Sequence, residues 1–541
     1  MISAEGKTIG DAFQEAAKKY ASNLFLMVPS DSDRPYYPLG YQLTYAEAWE
    51  QVDVIKRRLT SAGYGHGHRV ALLLENQPEF VLVKLACNSL GISIVPINPD
   101  YRPAEIAYLL QDSDADLAIV LARRETQFDE GLIESGKQMP VVWLEKMWLN
   151  IPQALTPPPN SGDVTIETEA SLLYTSGTTG RPKGCRMGHE YELVLGHWYV
   201  NRGGYLRFKE GQERLLNPLP LFHVNAGIVS LFGMMLTGNC QIQPDRFSPS
   251  KWWPAIRETE ATIVHYLGAV IPILMNTLPS AEDRNHQVKL GIGAGLEPTL
   301  HRPFEERFGF PLVEIWGMTE FCRILTDNHE PRQIDTRAIG RPQPGLEVRV
   351  VSQDDEDVPL GQSGEMLVRH SAETPRKWAF LGYLNKPEAT EEAWRGGWFH
   401  TGDTVMQDES GMIYFVDRKK NIIRRSGENI AAAEVETVIQ GHPVVGQVAC
   451  LAVADDLRDE EVFVCIVPAP NASTDEAIAK AIFQYCFENL AYYKAPGWLL
   501  FVDSLPVTGT QKVVKHKIFS DDQDPTQIEG VFDFRPLKKR S

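Results

Sequence analysis

The sequence has few cysteines, and no two of them stand close enough together to form a metal-binding pair. The 541 residues contain seven cysteines, at positions 87, 185, 240, 322, 450, 465 and 486, and no Cys-X-X-Cys motif. Zinc sites and disulfide scaffolds need paired or regularly spaced cysteines. The scatter therefore excludes both and favours a reducing compartment.

The sequence also lacks an excess of positive charge and any hydrophobic run of membrane-spanning length. Its formal net charge is −18, which argues against a nucleic-acid partner and an anionic membrane surface. The mostly apolar stretch 228–236 is shorter than the roughly 20 residues that a membrane-spanning helix needs. The first residues, Met-Ile-Ser-Ala-Glu-Gly-Lys, do not form a secretory signal. We therefore expect a cytoplasmic protein without membrane insertion.

The composition is that of a globular protein with more than one domain. Hydrophobic residues make up 43% and charged residues 23% of the chain, which is ordinary for such proteins, and 541 residues exceed one compact core. Apolar strands at 69–74 and 92–97 flank a predicted helix at 78–90. This β–α–β pattern predicts an α/β fold with a parallel, doubly covered sheet. Further helices are predicted at 9–20 and 45–62, and further strands at 117–121, 140–144, 241–243, 263–266, 289–292 and 312–315.

The C-terminal part of the chain has a different pattern. Short antiparallel strands at 346–352 and 365–369 predict a small β subdomain, and a charged stretch at 417–421 is a natural hinge. Beyond it, an α+β module of about 120 residues is large enough to fold alone. Its predicted elements are helices at 434–440 and after a Thr474 cap, and strands at 444–453 and 462–467.

Residues 174–184 are the most informative stretch. They follow an apolar strand at 170–173 and read Tyr-Thr-Ser-Gly-Thr-Thr-Gly-Arg-Pro-Lys-Gly. Glycines let backbone N–H groups turn towards an anion, hydroxyls add donors, and Lys183 adds a cation. The order differs from the P-loop of common NTPases, because Gly184 rather than Ser or Thr follows Lys183. The stretch predicts a phosphate-binding loop, although Ser/Thr/Gly clusters often form simple polar loops.

Four further residues give weaker signals when each is taken alone. Glu320, in Trp-Gly-Met-Thr-Glu at 316–320, follows a predicted strand and is placed to hold Mg²⁺ beside phosphates; a capping role at the strand end is equally consistent. Asp403, in a Gly-Asp pair, suits a ribose diol, although such pairs commonly form Asx turns. Arg418 and Lys512 lie in charged or C-terminal segments, where cations usually face solvent.

Together and in this order, these segments resemble the adenylate-forming enzymes, which include acyl- and aryl-CoA synthetases, peptide-synthetase adenylation domains and beetle luciferases. The resemblance covers nearly the whole chain. It includes Leu-Pro-Leu-Phe-His at 219–223 and Gly-Ala-Gly at 293–295. The segment Arg-Arg-Ser-Gly-Glu-Asn at 424–429 is most similar to acid–CoA ligases of the crotonobetaine/carnitine type.

The resemblance implies a role for each segment. A large domain, 1–419, binds ATP and the acid, and a small mobile domain, 420–541, turns about Lys420. Glu320 binds Mg²⁺ next to Thr319 at the α-phosphate, Lys512 is the adenylation lysine, and Gly427 lines the tunnel for the pantetheine arm of CoA. The implied ATP-binding residues are Thr175, Ser176, Gly177, Thr178, Thr179, Gly180, Lys183, Gly293, Ala294, Gly295, Trp316, Gly317, Asp403 and Arg418.

The acid pocket is the least defined part of this prediction. In relatives, the residue that matches His223 gates the pocket, whereas an isolated histidine near apolar residues is more often a core residue. The candidates for pocket polarity are His223, Asn225, His265, Trp316 and Arg323. If Arg323 faces the pocket, it favours a second acceptor group on the substrate; a surface ion pair is the alternative. Three positions depart from the family pattern: Trp316 replaces a tyrosine, Gln511 replaces a glycine, and Arg323 replaces a small residue.

The resemblance predicts an ATP-dependent carboxylic acid–CoA ligase that works through an acyl-adenylate. ATP, Mg²⁺ and CoA are the expected cofactor and co-substrates, with a small carboxylic acid as partner. A stand-alone adenylating enzyme that loads a carrier protein is the enzymatic alternative. A non-catalytic nucleotide-binding regulator is a third possibility, against which Glu320 and Lys512 both argue, because a pure binder needs no charge at the reacting centre.

Overall fold

The computed structural model describes residues 1–147, 150–175, 181–268, 270–352, 354–418, 422–470, 472–506, 515, 518–520 and 523–539. These residues form an α/β structure with two large sheets, a smaller five-stranded sheet and a C-terminal α+β part, as the sequence predicts. The π-helix Asn225–Ser230 leads directly into a short α-helix. The α-helices are Ile9–Lys19, Tyr45–Ser61, Pro78–Ser89, Pro103–Ser113, Glu125–Ser135, Leu144–Met147, His189–Val200, Leu231–Thr237, Pro249–Thr259, Val270–Met275, Pro298–Phe308, Pro387–Ala393, Ala432–Gln440 and Glu476–Asn489.

The two large sheets contain the predicted β–α–β units. Parallel pairing joins Arg69–Leu73 to Ser93–Pro96, and the helix Pro78–Ser89 connects them as predicted. Both sheets contribute to one hydrophobic core together with the helices packed between them. In spatial order, the first sheet comprises Phe321–Thr326, Leu312–Met318, Leu290–Ala294, Ile263–Leu267, Arg214–Leu216, Cys240–Ile242, Leu24–Val28 and Tyr41–Thr44. The second comprises Gly382–Tyr383, Lys183–Gly188, Glu169–Thr175, Ser93–Pro96, Arg69–Leu73, Leu117–Val120 and Val141–Trp143.

The predicted β subdomain is a five-stranded antiparallel sheet. Its order is Ala338–Gly340, Ile413–Arg418, Phe399–Gln407, Ser363–Arg369 and Glu347–Val351. The Gly402-Asp403 pair lies within one of these strands, with Asp403 opposite Arg418, so an isolated Asx turn is not what forms here. Hydrogen bonds between the antiparallel strands, and not a local turn, fix the backbone of this pair.

The C-terminal part has its own sheet and hydrophobic cluster. The hairpin Val445–Asp455 and Asp459–Pro468 is longer than predicted. The predicted Thr474 cap is wrong: Asp475 caps the helix Glu476–Asn489, because its carboxylate accepts a hydrogen bond from the Ile478 N–H. The other strands are Ile422–Arg425, Glu428–Ala431, Trp498–Phe501 and Phe532–Asp533. Within the described ranges, no helix is long and apolar enough to cross a membrane.

Candidate active site

A cavity of about 1070 Å³ lies where the two large sheets, the five-stranded sheet and the C-terminal part meet. Twelve of the predicted site residues line it: Thr175, Lys183, His223, Asn225, Ala294, Gly295, Trp316, Gly317, Thr319, Glu320, Asp403 and Gly427. The predicted residues Ser176, Gly177, Thr178, Thr179, Gly180, Lys420 and Lys512 lie outside the described residues. One cavity therefore brings together segments that are more than 250 residues apart in the chain.

The two ends of the predicted phosphate loop are held by an antiparallel hairpin. Thr175 ends the strand Glu169–Thr175 and lies opposite Lys183, which begins the strand Lys183–Gly188. Lys183 thus belongs to a strand and not to the loop itself. Its ammonium lies 4.8 Å from the centre of the Tyr383 ring, a distance at which a cation is attracted to an aromatic face. The hairpin presents a fixed cation at the cavity wall.

Tyr383 also contacts the predicted metal-binding carboxylate. Its hydroxyl donates a 2.9 Å hydrogen bond to Glu320 Oε1. Burial and the nearby Glu320 charge raise the pKa of Tyr383 well above its usual range, so the phenol remains a donor. Thr319 is positioned from the other side, because Tyr191 Oη donates to its backbone carbonyl at 2.7 Å. Glu320 and Lys183 therefore both line the cavity in contact with Tyr383.

Asp403 is the second carboxylate at this end of the cavity. It is 2% exposed, and its Oδ2 accepts a 2.7 Å hydrogen bond from the indole Nε1 of Trp316. This contact joins the strand Leu312–Met318 of a large sheet to the strand Phe399–Gln407 of the five-stranded sheet. From the C-terminal part, Arg424 Nη2 lies 4.0 Å from Asp403 Oδ1. The indole N–H of Trp316 thus fixes a carboxylate that the sequence assigns to the ribose.

Glu314 holds the backbone next to the predicted ATP-binding residues Ala294 and Gly295, although no motif in the sequence indicates it. Its carboxylate accepts hydrogen bonds from Tyr266 Oη at 2.7 Å, from the Gly295 N–H at 3.0 Å and from the Leu296 N–H at 3.3 Å. Burial raises the pKa of Glu314 to about 7, partly opposed by these donors. The cost of burying the ionised carboxylate therefore exceeds the stabilisation that these donors give it.

Glu314→Gln is expected to change the pH dependence of thermal stability. The folded-state pKa of Glu314 lies above its ordinary value, so its contribution to stability is lost as pH rises from about 4.5 through about 7. Glutamine at this position cannot titrate, so the variant does not lose this contribution. The melting temperature of the variant minus that of wild type should therefore rise by a few degrees between about pH 5 and about pH 8. Exposed Glu297→Gln is the control. Parallel melting profiles for Glu314→Gln and wild type would refute the assignment.

The C-terminal part reaches the cavity through Gly427 and Glu428. Gly427 has φ +89°, and a Cβ atom on it would lie 2.1 Å from Leu267 Cδ1. The positive φ favours glycine at this position, and any larger residue would also displace the Leu267 side chain. Glu428 Oε2 lies 3.4 Å from His223 Nε2, so the predicted gating histidine faces the C-terminal part and not a closed core.

A buried cation also joins the C-terminal part to the rest of the chain. Lys494, 3% exposed, lies 2.6 Å from Glu105 Oε1 and 2.8 Å from Glu434 Oε1. Glu105 belongs to the large part of the chain, whereas Lys494 and Glu434 belong to the C-terminal part. We name these three residues the junction triad. No spacing or motif in the sequence connects positions 105, 434 and 494, so the triad is not predictable from the sequence.

Three predicted residues lie away from the cavity surface formed by the described residues. Gly293 lies in the strand behind the Ala294 and Gly295 loop. His265 is fully buried and contacts Tyr199, Asn217 and Asn225. Arg323 is 2% exposed, and its guanidinium lies between the rings of Trp198 and Trp378, 4.1 and 4.4 Å from their centres. Arg323 thus neither lines the cavity nor forms a surface ion pair.

Comparison with known proteins identifies the family of this chain. The model of the AMP-binding enzyme family matches residues 13–384, and the model of the AMP-binding enzyme C-terminal domain matches residues 434–512. The sulfoacetate–CoA ligase of Cupriavidus necator is 31% identical, over 90% of this chain and 95% of that protein. The crotonobetaine/carnitine–CoA ligase of Salmonella arizonae is 30% identical, over 88% and 92% of the two chains.

Solved structures show the same fold. A double mutant of the o-succinylbenzoate CoA synthetase of Bacillus subtilis, bound with a product analogue, superposes with a TM-score of 0.81. The match covers 95% of this chain and 98% of that one at 23% sequence identity. The chain therefore belongs to the AMP-binding enzyme family and is an acid–CoA ligase of the adenylate-forming superfamily.

Proposed function

We propose that this enzyme joins a small carboxylic acid to CoA in two steps, through an acyl-adenylate. In the first step, a carboxylate oxygen of the acid attacks the α-phosphorus of ATP, and pyrophosphate leaves. In the second step, the CoA thiol attacks the acyl carbon, loses its proton, and AMP leaves. The single observation that carries the proposal is that one cavity contains the nucleotide residues Lys183, Glu320 and Asp403 together with Gly427 of the C-terminal part.

The first step brings two anions together, so it needs a local positive field in a protein of net charge −18. Lys183 supplies one cation at the cavity wall, and the backbone donors of the loop at 176–180 and Lys512 are proposed to supply the rest. Glu320 is the carboxylate that would hold Mg²⁺, since a carboxylate beside phosphate oxygens suits that ion. Bound there, the ion would neutralise charge on the leaving pyrophosphate. Asp403, fixed by Trp316, would accept hydrogen bonds from the ribose.

The arrangement of the C-terminal part supports a role in the second step. Gly427 and Glu428 line the cavity, and Gly427 packs against the Leu267 side chain. We propose that the domain 420–541 turns about Lys420 between the two steps, with Lys512 at the cavity in the first step and Gly427 there in the second. The CoA thiol would reach the acyl-adenylate by passing next to Gly427.

Pyrophosphate release tests the proposal directly. ATP, Mg²⁺ and a panel of carboxylic acids are supplied with and without CoA, and both pyrophosphate and thioester are measured. We expect pyrophosphate release that requires an acid, and thioester formation that requires CoA. Adenylate that accumulates but is never transferred to CoA would favour a carrier-protein acceptor. Nucleotide binding without any pyrophosphate release across the panel would overturn the enzymatic assignment.

Glu320→Gln is expected to lower acid-dependent pyrophosphate release by about 10²-fold, because it removes a charge that organises the reacting phosphates. Exposed Glu50→Gln changes the overall charge equally and serves as the control. The readout is the initial rate at saturating ATP and acid, with the melting temperature as the check on folding. A folded Glu320→Gln enzyme with the rate of the Glu50→Gln enzyme would contradict the role of Glu320.

A further inference from the structure

The part of the cavity next to Asn225 has apolar walls. Leu195 comes from the helix His189–Val200, Val229 from the π-helix Asn225–Ser230, and Met318 and Ile324 from the two strands of a hairpin; all four line the cavity. We name this part the apolar end. Asn225 begins the helix that carries Val229, and His223 precedes it by two residues; both line the cavity. Two charged lining residues belong to this hairpin: Glu314 lies on the strand Leu312–Met318, and Glu320 lies in the turn, where Tyr383 holds it. The cations Lys183 and Arg424 belong to other elements.

Arg323 supplies no charge to the apolar end. It follows Cys322 on the same strand as Ile324, but its guanidinium is stacked between Trp198 and Trp378. The Trp198 indole is itself fixed, because its Nε1 donates a 3.1 Å hydrogen bond to the Ile324 carbonyl. Successive residues of a strand face opposite sides, so Ile324 faces the cavity while Arg323 faces away. His265 adds no charge either, because burial lowers its pKa to about 3.

The hydrogen bonds behind Asn225 determine which end of its amide faces the cavity. Asn217 Oδ1 accepts a 3.0 Å hydrogen bond from the Leu219 N–H. A backbone N–H can only donate, so Asn217 must turn its Nδ2 donors towards Asn225, at 3.0 Å, and Ser230, at 2.9 Å. The Asn225 atom that faces Asn217 must then be its oxygen.

The same constraint sets the tautomer of His265. His265 Nδ1 lies 2.8 Å from Asn225 Oδ1, so Nδ1 carries the proton and donates to that oxygen. His265 Nε2 then accepts from the Tyr199 hydroxyl. Asn225 Oδ1 is thus used twice within the protein, and the Asn225 NH₂ group is turned towards the cavity. The apolar end therefore presents an uncharged hydrogen-bond donor.

From this geometry we infer that Asn225 is a specificity-determining residue and that the acid substrate has an uncharged, largely apolar acyl group with an oxygen acceptor. A carbonyl, hydroxyl or ether oxygen would accept from the Asn225 NH₂ group. A second carboxylate or a sulfonate in the apolar end would lose its hydration without a cation to pair with. A quaternary ammonium would be disfavoured because it would face the Asn225 NH₂ group, which can only donate. The inference rests on the proposed function and adds the class of acid to it.

Matched acids test the inference on the full-length enzyme. Hexanoate and phenylpropanoate are compared with their oxo or methoxy analogues, and with charged acids: adipate, sulfoacetate and trimethylammoniobutanoate. We expect the oxygenated neutral acids to have the highest kcat/KM, with the charged acids about 10²-fold lower. Equal kcat/KM for plain and oxygenated acids, or a preference for any charged acid, would overturn the inference. Absence of pyrophosphate release with every acid would instead refute the proposed function.

Variants of Asn225 connect the preference to the proposed donor. Asn225→Leu is expected to lower the oxygenated-to-plain ratio of kcat/KM by about tenfold, because it removes one hydrogen bond to the substrate. Asn225→Asp should raise the relative kcat/KM of trimethylammoniobutanoate. Arg323→Met is the matched control and should keep the wild-type order of acids. Thermal shift by ATP verifies that each variant is folded; a folded Asn225→Leu enzyme with the wild-type ratio would refute the role of Asn225.

Discussion

Lys512→Ala is expected to lower adenylate formation by about 10²–10³-fold, the usual cost of removing one preorganised charge from a reacting centre. Thioester formation from synthetic acyl-AMP and CoA should fall far less, since pyrophosphate has already left when that step begins. The two half-reactions are measured separately, as acid-dependent pyrophosphate release and as AMP release from the supplied adenylate.

The control for this experiment is Lys209→Ala, which removes an exposed lysine and the same amount of charge. It should leave both half-reactions close to wild type. An equal loss of both half-reactions in Lys512→Ala would mean that the lysine supports folding or nucleotide binding in general. That result would remove Lys512 from the proposed first step.

Gly427→Ala is expected to slow thioester formation more than adenylate formation, which is the reverse of the result expected for Lys512→Ala. The added Cβ would lie 2.1 Å from Leu267 Cδ1 at a residue with φ +89°, so the backbone would be strained, and the Leu267 side chain or the C-terminal part would have to shift. A displacement of about 1 Å at a reacting centre can cost about 10²-fold in rate. Thioester formation from acyl-AMP should therefore fall by about 10²-fold, and adenylate formation by much less.

Two further variants separate the steric effect from backbone strain. Gly411 has φ +78°, and no atom lies within 4 Å of a Cβ built on it, so Gly411→Ala tests the strain alone. The double variant Gly427→Ala with Leu267→Ala makes room for the new methyl group and should recover part of the thioester step. A loss of the thioester step in Gly411→Ala as large as that in Gly427→Ala would contradict the steric explanation.

The sequence predicts the fold and the candidate site residues Lys183, Glu320 and Asp403 because their signals are local. A strand pattern followed by hydroxyls, glycines and Lys183 needs no knowledge of the rest of the chain, and the structure confirms the strand before that loop. The strand that begins at Lys183 is not predicted, because the Arg-Pro-Lys-Gly sequence is typical of a loop. The predictions for Glu320 and Asp403 also depend only on neighbouring residues in the sequence. The structure adds their fixed positions, which depend on the hydroxyl of Tyr383 and the indole of Trp316.

The residues that the sequence does not reveal act through long-range contacts. Glu314 meets the loop of Gly295 only because two parallel strands lie side by side. The orientation of the Arg323 side chain depends on Trp198 and Trp378, which lie 125 residues earlier and 55 residues later in the chain. The cap of the last long helix was misplaced by one residue, because Thr474 and Asp475 are both good capping residues and only the backbone geometry distinguishes them.

The junction triad constrains how this sequence can diverge. One ammonium lies between two carboxylates from different parts of the chain, so a neutral residue at 494 would leave two like charges facing each other away from water. Loss of a single carboxylate would be milder, because the ammonium keeps its other partner. Energies of such contacting groups are not additive, so a substitution harmful alone can be tolerated once its neighbours have changed. Positions 105, 434 and 494 are therefore expected to covary during evolution.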